Sequence, residues 1–212
     1  MAQQQVFPTK GNLITTKKAL SLAKLGYDLL DRKRNILIRE MMSLIEQAKN
    51  LRGSIEDIYK EAYSALQMAN VTMGLISPYC ESVPIENSVK IKTRSVMGVE
   101  LPRVSIDDEP LHISYGFNPT NSQLDKAYIS FDKAKKITIS LAEVENSIYR
   151  LANAIKKTQR RANALKNIII PRHEGIVKFI STALEEKERE EFSRMKVIKK
   201  QKMQKLLKQQ KE

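Results

Sequence analysis

Few residues in this chain have types and spacings that could support chemistry. Asp107, Asp108 and Glu109, with His112 nearby, offer oxygen and nitrogen ligands for a cation. No second acidic cluster supplies the remaining ligands that a hard cation needs, so a solvated turn is the favoured interpretation. Cys80 has no catalytic His near it in the sequence and is expected to be an inert thiol.

The motifs of nucleotide binding, zinc binding and disulfide bonding are also missing. Neither G-x-x-x-x-G-K-[ST] nor G-x-G-x-x-G occurs, so no glycine-rich loop is available to hold phosphates. One Cys cannot form an internal disulfide, and two His cannot complete a zinc site alone. His173 is expected to pack against neighbours rather than act as a base. We therefore predict no catalytic residue, no cofactor and no metal ion.

The charge of the chain is uneven. Its 212 residues carry a formal net charge of +13, with basic ends and a slightly acidic middle, which suggests different partners at the two ends. The densest basic cluster is Lys156, Lys157, Arg160 and Arg161. Aromatic residues for base stacking are absent from it, so a helix surface facing solvent or a protein is favoured over a nucleic-acid site. A basic coiled-coil scaffold or nucleic-acid-binding protein remains the alternative.

Two stretches carry the heptad repeat that would position these residues. In the first, small or apolar residues alternate at steps of four and three, and the same register extends back to Leu13. Its members are Leu37, Met41, Leu44, Ala48, Leu51, Ile55, Ile58, Ala62, Ala65, Ala69, Thr72 and Ile76. The second comprises Leu141, Val144, Ile148, Leu151, Ile155, Thr158, Ala162, Leu165 and Ile169. The first stretch implies a helix of about 60 residues, which needs a partner along its length.

Two matching seams predict a mainly α chain whose N- and C-terminal helices form one long antiparallel coiled coil. A repeat of about 3.5 residues predicts left-handed supercoiling. An ordinary helix bundle is the alternative, disfavoured because no third apolar helix is left. The predicted core residues are Leu44, Leu51, Ile55, Ile58, Leu141, Val144, Ile148, Leu151, Ile155 and Leu165.

The segment between the seams has a different pattern. Ser77 and Pro78 end the first helix, and alternating apolar residues on either side of Gly98 predict a short β-hairpin. We expect three parts: an N-terminal shaft helix over 1–76, a hairpin and loop tip over 77–120, and a C-terminal shaft helix with a basic tail over 121–212. The hairpin is expected at the closed end of the coiled coil, packed on the helices or on another protein.

Two further features concern helix continuity and membranes. Pro171 falls inside the second helical stretch, and apolar residues resume at Ile176, Ile180 and Leu184, so a kink is expected rather than a stop. There is no run of about 18 apolar residues and no signal-like start, which favours a soluble or peripheral intracellular protein.

Three stretches resemble one known family. They are LITTKKALSLAKLGYDLLDRKRNIL (Leu13–Leu37), NSQLDKAYISF (Asn121–Phe131) and KKTQRRANALKNIIIP (Lys156–Pro171), the last being the most specific. Together with the order of long helix, short β segment and long helix, they resemble the D subunit of the V-type and archaeal A-type ATPases. Lys166 departs from the family pattern, which has Glu there. The equivalent shaft of F-type enzymes is disfavoured, because its large α/β domain would not fit between these helices.

The resemblance implies a non-catalytic central-stalk rotor that transmits torque between a catalytic hexamer and a membrane ion-translocating ring, in ATP synthesis or proton transport. Its implied partners are the catalytic and regulatory A and B subunits, the F subunit of the stalk, and the d or C subunit that couples the stalk to the membrane ring. It implies a peripheral position on the cytoplasmic face, without direct nucleotide binding or membrane insertion. The candidate ring-facing residues are Lys156, Lys157, Arg160, Arg161 and Asn163. The candidate stalk-partner residues are Val89, Ile91, Val99, Leu101, Val104 and Ile106.

Overall fold

The computed structural model contains two long helical stretches with a β-hairpin between them in sequence. It describes residues 6–83, 85, 87–106, 114–116, 118 and 120–209, with backbone alone for 204–209. The elements are α1 (Lys10–Met73), α2 (Ser77–Cys80), β1 (Val89–Val96), β2 (Val99–Ile106), α3 (Ser122–Ala164), a π-helical turn (Leu165–Ile169) and α4 (Ile170–Gln209). The predicted fold class is confirmed by this order of elements. The acidic cluster at 107–109 and His112 lie outside the described residues.

Local signals set both ends of the 64-residue helix α1. At its start, the Thr9 hydroxyl accepts a hydrogen bond from the Asn12 backbone N–H at 3.2 Å, as an N-cap residue does. At its end, Gly74 has φ +80°, and its N–H donates to the Asn70 carbonyl at 2.9 Å. This left-handed residue closes the helix at little steric cost because glycine has no Cβ.

The contacts within the chain define two compact units. We call Lys33–Lys157 the central unit, and Met1–Arg32 together with Thr158–Glu212 the terminal unit. Within the central unit, α1 and α3 run antiparallel. The Arg52 guanidinium lies 2.6 Å from the Glu145 carboxylate, and the Tyr59 and Thr138 hydroxyls are 2.9 Å apart.

The heptad positions of the central unit follow the less exposed side of each helix. Leu37, Ala48, Ala62, Ala69 and Ile76 are buried, and the intervening α1 positions are half-buried, apart from exposed Thr72. On α3, Val144 and Leu151 are buried. Among the predicted core residues, Leu44, Leu51, Ile55, Ile58, Leu141, Ile148 and Ile155 are half-buried. Ala127, Ser130, Ala134 and Ser147 are also buried. These small residues allow close approach of the helix backbones.

A separate apolar cluster forms where the chain leaves α1 and enters α3. It contains Ala69, Ile76, Tyr115 and Leu124. The Tyr115 hydroxyl donates a hydrogen bond of 2.5 Å to the Asp125 carboxylate. Burial, and then this interaction with Asp125, raise the pKa of Tyr115 well above its ordinary value. The phenol therefore stays protonated, and continues to donate, to more alkaline pH than an ordinary tyrosine does.

The terminal unit pairs the start of α1 with the C-terminal helices, again antiparallel. The Lys10 ammonium lies 3.0 Å from the Glu188 carboxylate, and Lys24 lies 2.7 Å from Glu174. Ala162 and Ile180 are buried in this unit. All these ion-pair side chains are at least half exposed, so each pair contributes about 0–1 kcal/mol and burial is the main source of cohesion.

The helical seam changes register at the π turn. The Ile170 N–H donates to the Leu165 carbonyl, an i to i−5 bond that accommodates one residue more than an α-turn. Continuing the four-three spacing from Leu165 would place Ile169 next in the seam, but Ile169 is 37% exposed. Beyond the turn the less exposed positions are each displaced by one residue: Ile170, His173, Val177, Ile180 and Leu184.

Pro171 lies directly after the π turn and does not end the helix. The chain remains helical through α4 to Gln209, in agreement with the expectation that Pro171 is not a stop. The π turn itself was not predicted. The seam prediction at Ile169 is wrong, because the extra residue in the turn rotates that side chain away from α1.

The β-hairpin turns at Met97 and Gly98, which have φ values of 51° and 75°. Two consecutive positive φ values define the type I′ turn that suits a two-residue hairpin. The strands pair antiparallel, with Ile91 opposite Val104 and Val96 opposite Val99. The stretch that contains the hairpin is joined to α1 and α3 at the end where the chain reverses direction. From there the two strands fold back along α1 and α3. Leu101 consequently packs against Leu37 and Leu151, which lie far along both helices from the reversal.

Replacing Leu151 by Asp tests the central seam. Leu151 is fully buried, so the variant places an unpaired charge beside Leu37 and Leu101. We expect a loss of about 3–5 kcal/mol in the free energy of unfolding, measured by denaturant titration with circular dichroism. Tyr149→Asp on the same helix is the matched control, because Tyr149 is 69% exposed and its replacement should cost under about 1 kcal/mol. Equal losses would show that Leu151 does not lie in the seam.

Deleting Ile169 tests the register change. The deletion restores a spacing of four between Leu165 and the next seam residue, so an α-turn replaces the π turn and the thermal midpoint should be retained. Deleting Lys178 instead turns buried Ile180 out of the seam, which should cost about 2–5 kcal/mol. Thermal melts followed by circular dichroism compare the two. A larger loss for the Ile169 deletion than for the Lys178 deletion would contradict this account of the turn.

Candidate functional site

The described residues contain no group of three or more His, Cys, Asp or Glu side chains that could hold a metal ion. Cys80 is an exposed free thiol. His173 is half-buried in α4, and its Nδ1 atom is buried without a hydrogen-bond partner in the described part of the chain. The residues predicted to contact partners lie on exposed or partly exposed surfaces of the helices and of the hairpin, apart from Leu101.

The basic cluster predicted to face a ring lies on exposed positions of α3. Lys156 and Lys157 are exposed in the central unit, and Arg160, Arg161 and Asn163 are exposed in the terminal unit. The Asn163 side-chain oxygen accepts a 2.8 Å hydrogen bond from the Gln159 amide one turn earlier, which orients Asn163 along the helix surface. The side chains of all five predicted residues are thus accessible to a partner.

Lys166, which follows Leu165 in the π turn, contacts α1. Its ammonium lies 5.8 Å from the centroid of the Tyr27 ring, within reach of a cation–π interaction. Leu165 approaches α1 at Gly26, where an added Cβ would lie 3.8 Å from the leucine Cδ1 atom. The π turn is therefore packed against α1 through neighbouring apolar and cationic side chains.

Exposed large apolar side chains form a second feature of the terminal unit. Leu22, Leu25 and Leu29 on α1 are 70%, 58% and 59% exposed, and Ile168 and Phe179 are each 60% exposed. The three leucines follow i, i+3, i+7 spacing, so they share one face of α1, separate from the seam. This stripe was not among the predicted surfaces, although its i, i+3, i+7 spacing is present in the sequence beside the seam residues. Exposed apolar stripes mark surfaces that bind other proteins.

Near its turn, the hairpin has one face on the helices and the opposite face toward solvent. In an antiparallel pair, directly opposed residues project to the same face. Leu101 is buried, and Val96 and Val99 pack with it against the cluster of Leu37 and Leu151. The opposite face carries Val89, Ile91, Val104 and Ile106; Ile91 is 71% exposed, whereas Val104 and Ile106 are half-buried.

This arrangement corrects part of the predicted stalk-partner surface. Leu101 is 4% exposed and is withdrawn from that surface, because its side chain is already covered by this chain's own helices. Val99 packs beside Leu101 on the same face and is withdrawn from the surface with it. The other four predicted residues, Val89, Ile91, Val104 and Ile106, remain candidates for contact with a partner.

Helix α3 covers the outer edge of β2. The Val104 N–H donates to the Glu143 carboxylate at 2.8 Å, and the Glu100 carbonyl accepts from the Arg150 guanidinium at 3.1 Å. Between them Pro102 has no N–H to satisfy. On the helix-facing side, the Arg94 guanidinium of β1 lies 2.8 Å from the Glu40 carboxylate of α1. The hairpin is therefore fixed to both helices by polar contacts as well as by Leu101.

Among the described helices, none has an apolar stretch of the length and hydropathy that crossing a bilayer requires.

These features define a class of protein: a chain of two long helical stretches with an inserted β-hairpin, whose distinctive surfaces are exposed apolar and basic patches. The family model that describes the ATP synthase D subunit matches residues 12–200. The chain therefore belongs to the ATP synthase D-subunit family, as the resemblance indicated.

Known relatives agree over nearly the whole chain. The V-type ATP synthase D subunit of Thermotoga neapolitana is 45% identical over 196 residues, covering 92% of this chain and 97% of the relative. The A-type ATP synthase D subunit of Methanobrevibacter smithii is 40% identical, covering 90% of this chain and 85% of the relative. The A-type D subunit of Pyrococcus horikoshii is 37% identical, with 92% and 94% covered. The chain is thus similar to both V-type and A-type members.

Truncating the two faces of the hairpin separately tests its orientation. Leu101→Ala leaves a cavity beside Leu37 and Leu151, and should lower the free energy of unfolding by about 2–5 kcal/mol. Ile91→Ala removes an exposed side chain and should cost under about 1 kcal/mol, chiefly through its cross-strand contact with Val104. Urea titration of both variants provides the comparison. A greater loss for Ile91→Ala would mean that the assigned faces are reversed.

Proposed function

We propose that this chain is the central-stalk rotor subunit of a V/A-type rotary ATPase and transmits torque between the catalytic hexamer and the membrane ion-translocating ring. Its membership of the ATP synthase D-subunit family is the observation that carries the proposal. The proposal treats the chain as a non-catalytic subunit: its role is to couple ATP turnover to ion movement through contacts, while bonds are made and broken on other subunits.

The long helices are suited to carrying torque. Helix α1 runs for 64 residues without a break, and within each unit an antiparallel helix packs along it. Twisting such a pair requires side chains in the seam to lose contact, so buried residues such as Leu37 and Leu151 resist it. A chain of small domains joined by loops would absorb the same twist in its linkers.

The surfaces of the chain supply candidates for the contacts of a rotor. The basic residues Lys156, Lys157, Arg160 and Arg161, with Asn163, are proposed to face the hexamer of A and B subunits. The solvent face of the hairpin is proposed to contact the F subunit of the stalk or the membrane-ring coupling subunit. This assignment keeps the three-part division at 1–76, 77–120 and 121–212. It places the protein peripherally on the cytoplasmic face of the membrane.

The proposed mechanism is a shift of populations. The three catalytic interfaces of a hexamer are chemically alike, whereas the two helices of this chain present different residues in different directions. Each orientation of the shaft therefore offers a different contact energy to each interface, and this difference biases the interface among its open, loose and tight states. Contacts whose energy is the same at all orientations of the shaft would transmit no torque.

Cross-linking the shaft to the ring tests the rotor role. Arg161 is exposed, so Arg161→Cys can carry a maleimide-benzophenone label, in a Cys80→Ser background that removes the chain's one native thiol. We expect irradiation of the assembled ATPase to join the chain to one ring subunit and to abolish steady-state ATP turnover in proportion to the cross-linked fraction. Steady-state phosphate release measures turnover.

Irradiated complex without the label is the control for photodamage and should keep full turnover. Complete cross-linking to one ring subunit with undiminished turnover would reject a rotating role, because a shaft fixed to a single subunit cannot visit the others.

A further inference from the structure

The two edges of the hairpin differ in a way that points to a binding site. The Val104 N–H points away from β1, since it donates to Glu143 of α3. Val104 and its partner Ile91 therefore form a non-hydrogen-bonded pair, in which the backbone groups of both residues point outward. The alternation along an antiparallel ladder then directs the N–H and C=O groups of Val89, Thr93 and Ser95 outward from β1 as well.

The outer edge of β1 remains open in the described part of the chain. The edge of β2 is covered by α3, but no hydrogen bond from another described element reaches the outward groups of Val89, Ile91, Thr93 or Ser95. Every residue of β1 except Val96 is exposed. An exposed edge whose donors and acceptors are not paired within the protein is a template for an additional strand.

The side chains along this edge specify what kind of strand would fit. One face of β1 carries Val89 and Ile91, both exposed, so a neighbouring strand would gain by placing apolar residues there. The other face carries Lys90, Lys92 and Arg94 and no acidic residue, and Arg94 on it is already paired with Glu40 of α1. Adjacent strands place side chains of the same face side by side, so an acidic residue on the added strand would lie next to the exposed Lys92.

We propose that the outer edge of β1 binds an extended segment of another ATPase subunit by strand addition, and that this segment alternates apolar with acidic residues. The proposal deepens the proposed function and rests on it, because it names the binding mode and chemistry of the stalk partner. A second copy of this chain does not fit the edge, since pairing β1 with β1 would set Lys92 and its neighbours against like charges.

Substitutions at Thr93 separate the contribution of its backbone N–H to binding from the contribution of its side chain. The Thr93 N–H points outward, and its partner across the ladder is Pro102. Thr93→Pro therefore removes an edge donor without removing a bond between β1 and β2. Proline is tolerated on such an edge position. Thr93→Val is the matched control: it keeps the N–H and a β-branched side chain. Both isolated variants should give the wild-type circular dichroism spectrum and thermal midpoint.

The binding experiment uses the purified F subunit of the stalk and the purified membrane-ring coupling subunit as probes against the full-length chain. We expect Thr93→Pro to bind at least one of them on the order of tenfold more weakly than Thr93→Val does. Lys92→Glu should weaken the same interaction and flatten its dependence on salt concentration. Amide hydrogen exchange in the assembled complex should show Ile91, Thr93 and Ser95 exchanging on the order of tenfold more slowly than in the isolated chain.

Equal affinities of Thr93→Pro and Thr93→Val for both probes would overturn strand addition. Unchanged exchange at these three amides in the assembled complex would overturn it as well. In either case a chain that still enters the ATPase and stops turnover when cross-linked at position 161 leaves the rotor role standing. Failure of the wild-type chain to join ATPase subunits would reject both proposals together.

Discussion

The apolar seam along α1, formed by its heptad positions, is the constraint on which the rest of the structure depends. An isolated helix of 64 residues with such a seam would expose the seam to water, so each unit has to cover its part of the seam. In the central unit α3 and the hairpin do so, and in the terminal unit the π turn and α4 do so. Exposed ion pairs such as Arg52 with Glu145 contribute little by comparison.

The need to cover the seam explains the position of the hairpin. A two-stranded ribbon has too small a core to be stable alone. By inserting Leu101 between Leu37 and Leu151 it shares the core of the helices, while Glu143 and Arg150 of α3 satisfy the edge of β2. The same contacts leave the solvent face and the β1 edge exposed. The packing of the hairpin on the helices and the exposure of its β1 edge therefore follow from the same contacts.

Much of this architecture could be predicted from the sequence because its signals are local. The four-three spacing from Leu37 to Ile76 needs neighbours only three or four residues apart, and Gly98 marks the turn of the hairpin within the strands themselves. The contact of Leu101 with Leu37 joins residues that are distant in sequence, so no spacing rule indicates it. The outward direction of β1 backbone groups likewise depends on the register of two strands and on a carboxylate from α3.

The π turn shows why a continuous repeat in the sequence can mislead. Extending the spacing beyond Leu165 leads to Ile169 and then to Arg172, a charged residue, whereas the shifted register leads to Ile170 and His173. Pro171 has no N–H, so the carbonyl of Asn167 lacks its α-helical donor, and the hydrogen-bond ladder is already interrupted where the extra residue enters. The extra residue therefore costs less here than in an intact ladder. It brings Ile180 into the seam and leaves Ile168 on the surface, so a single inserted residue decides which side chains hold the terminal unit together and which remain available to a surrounding protein.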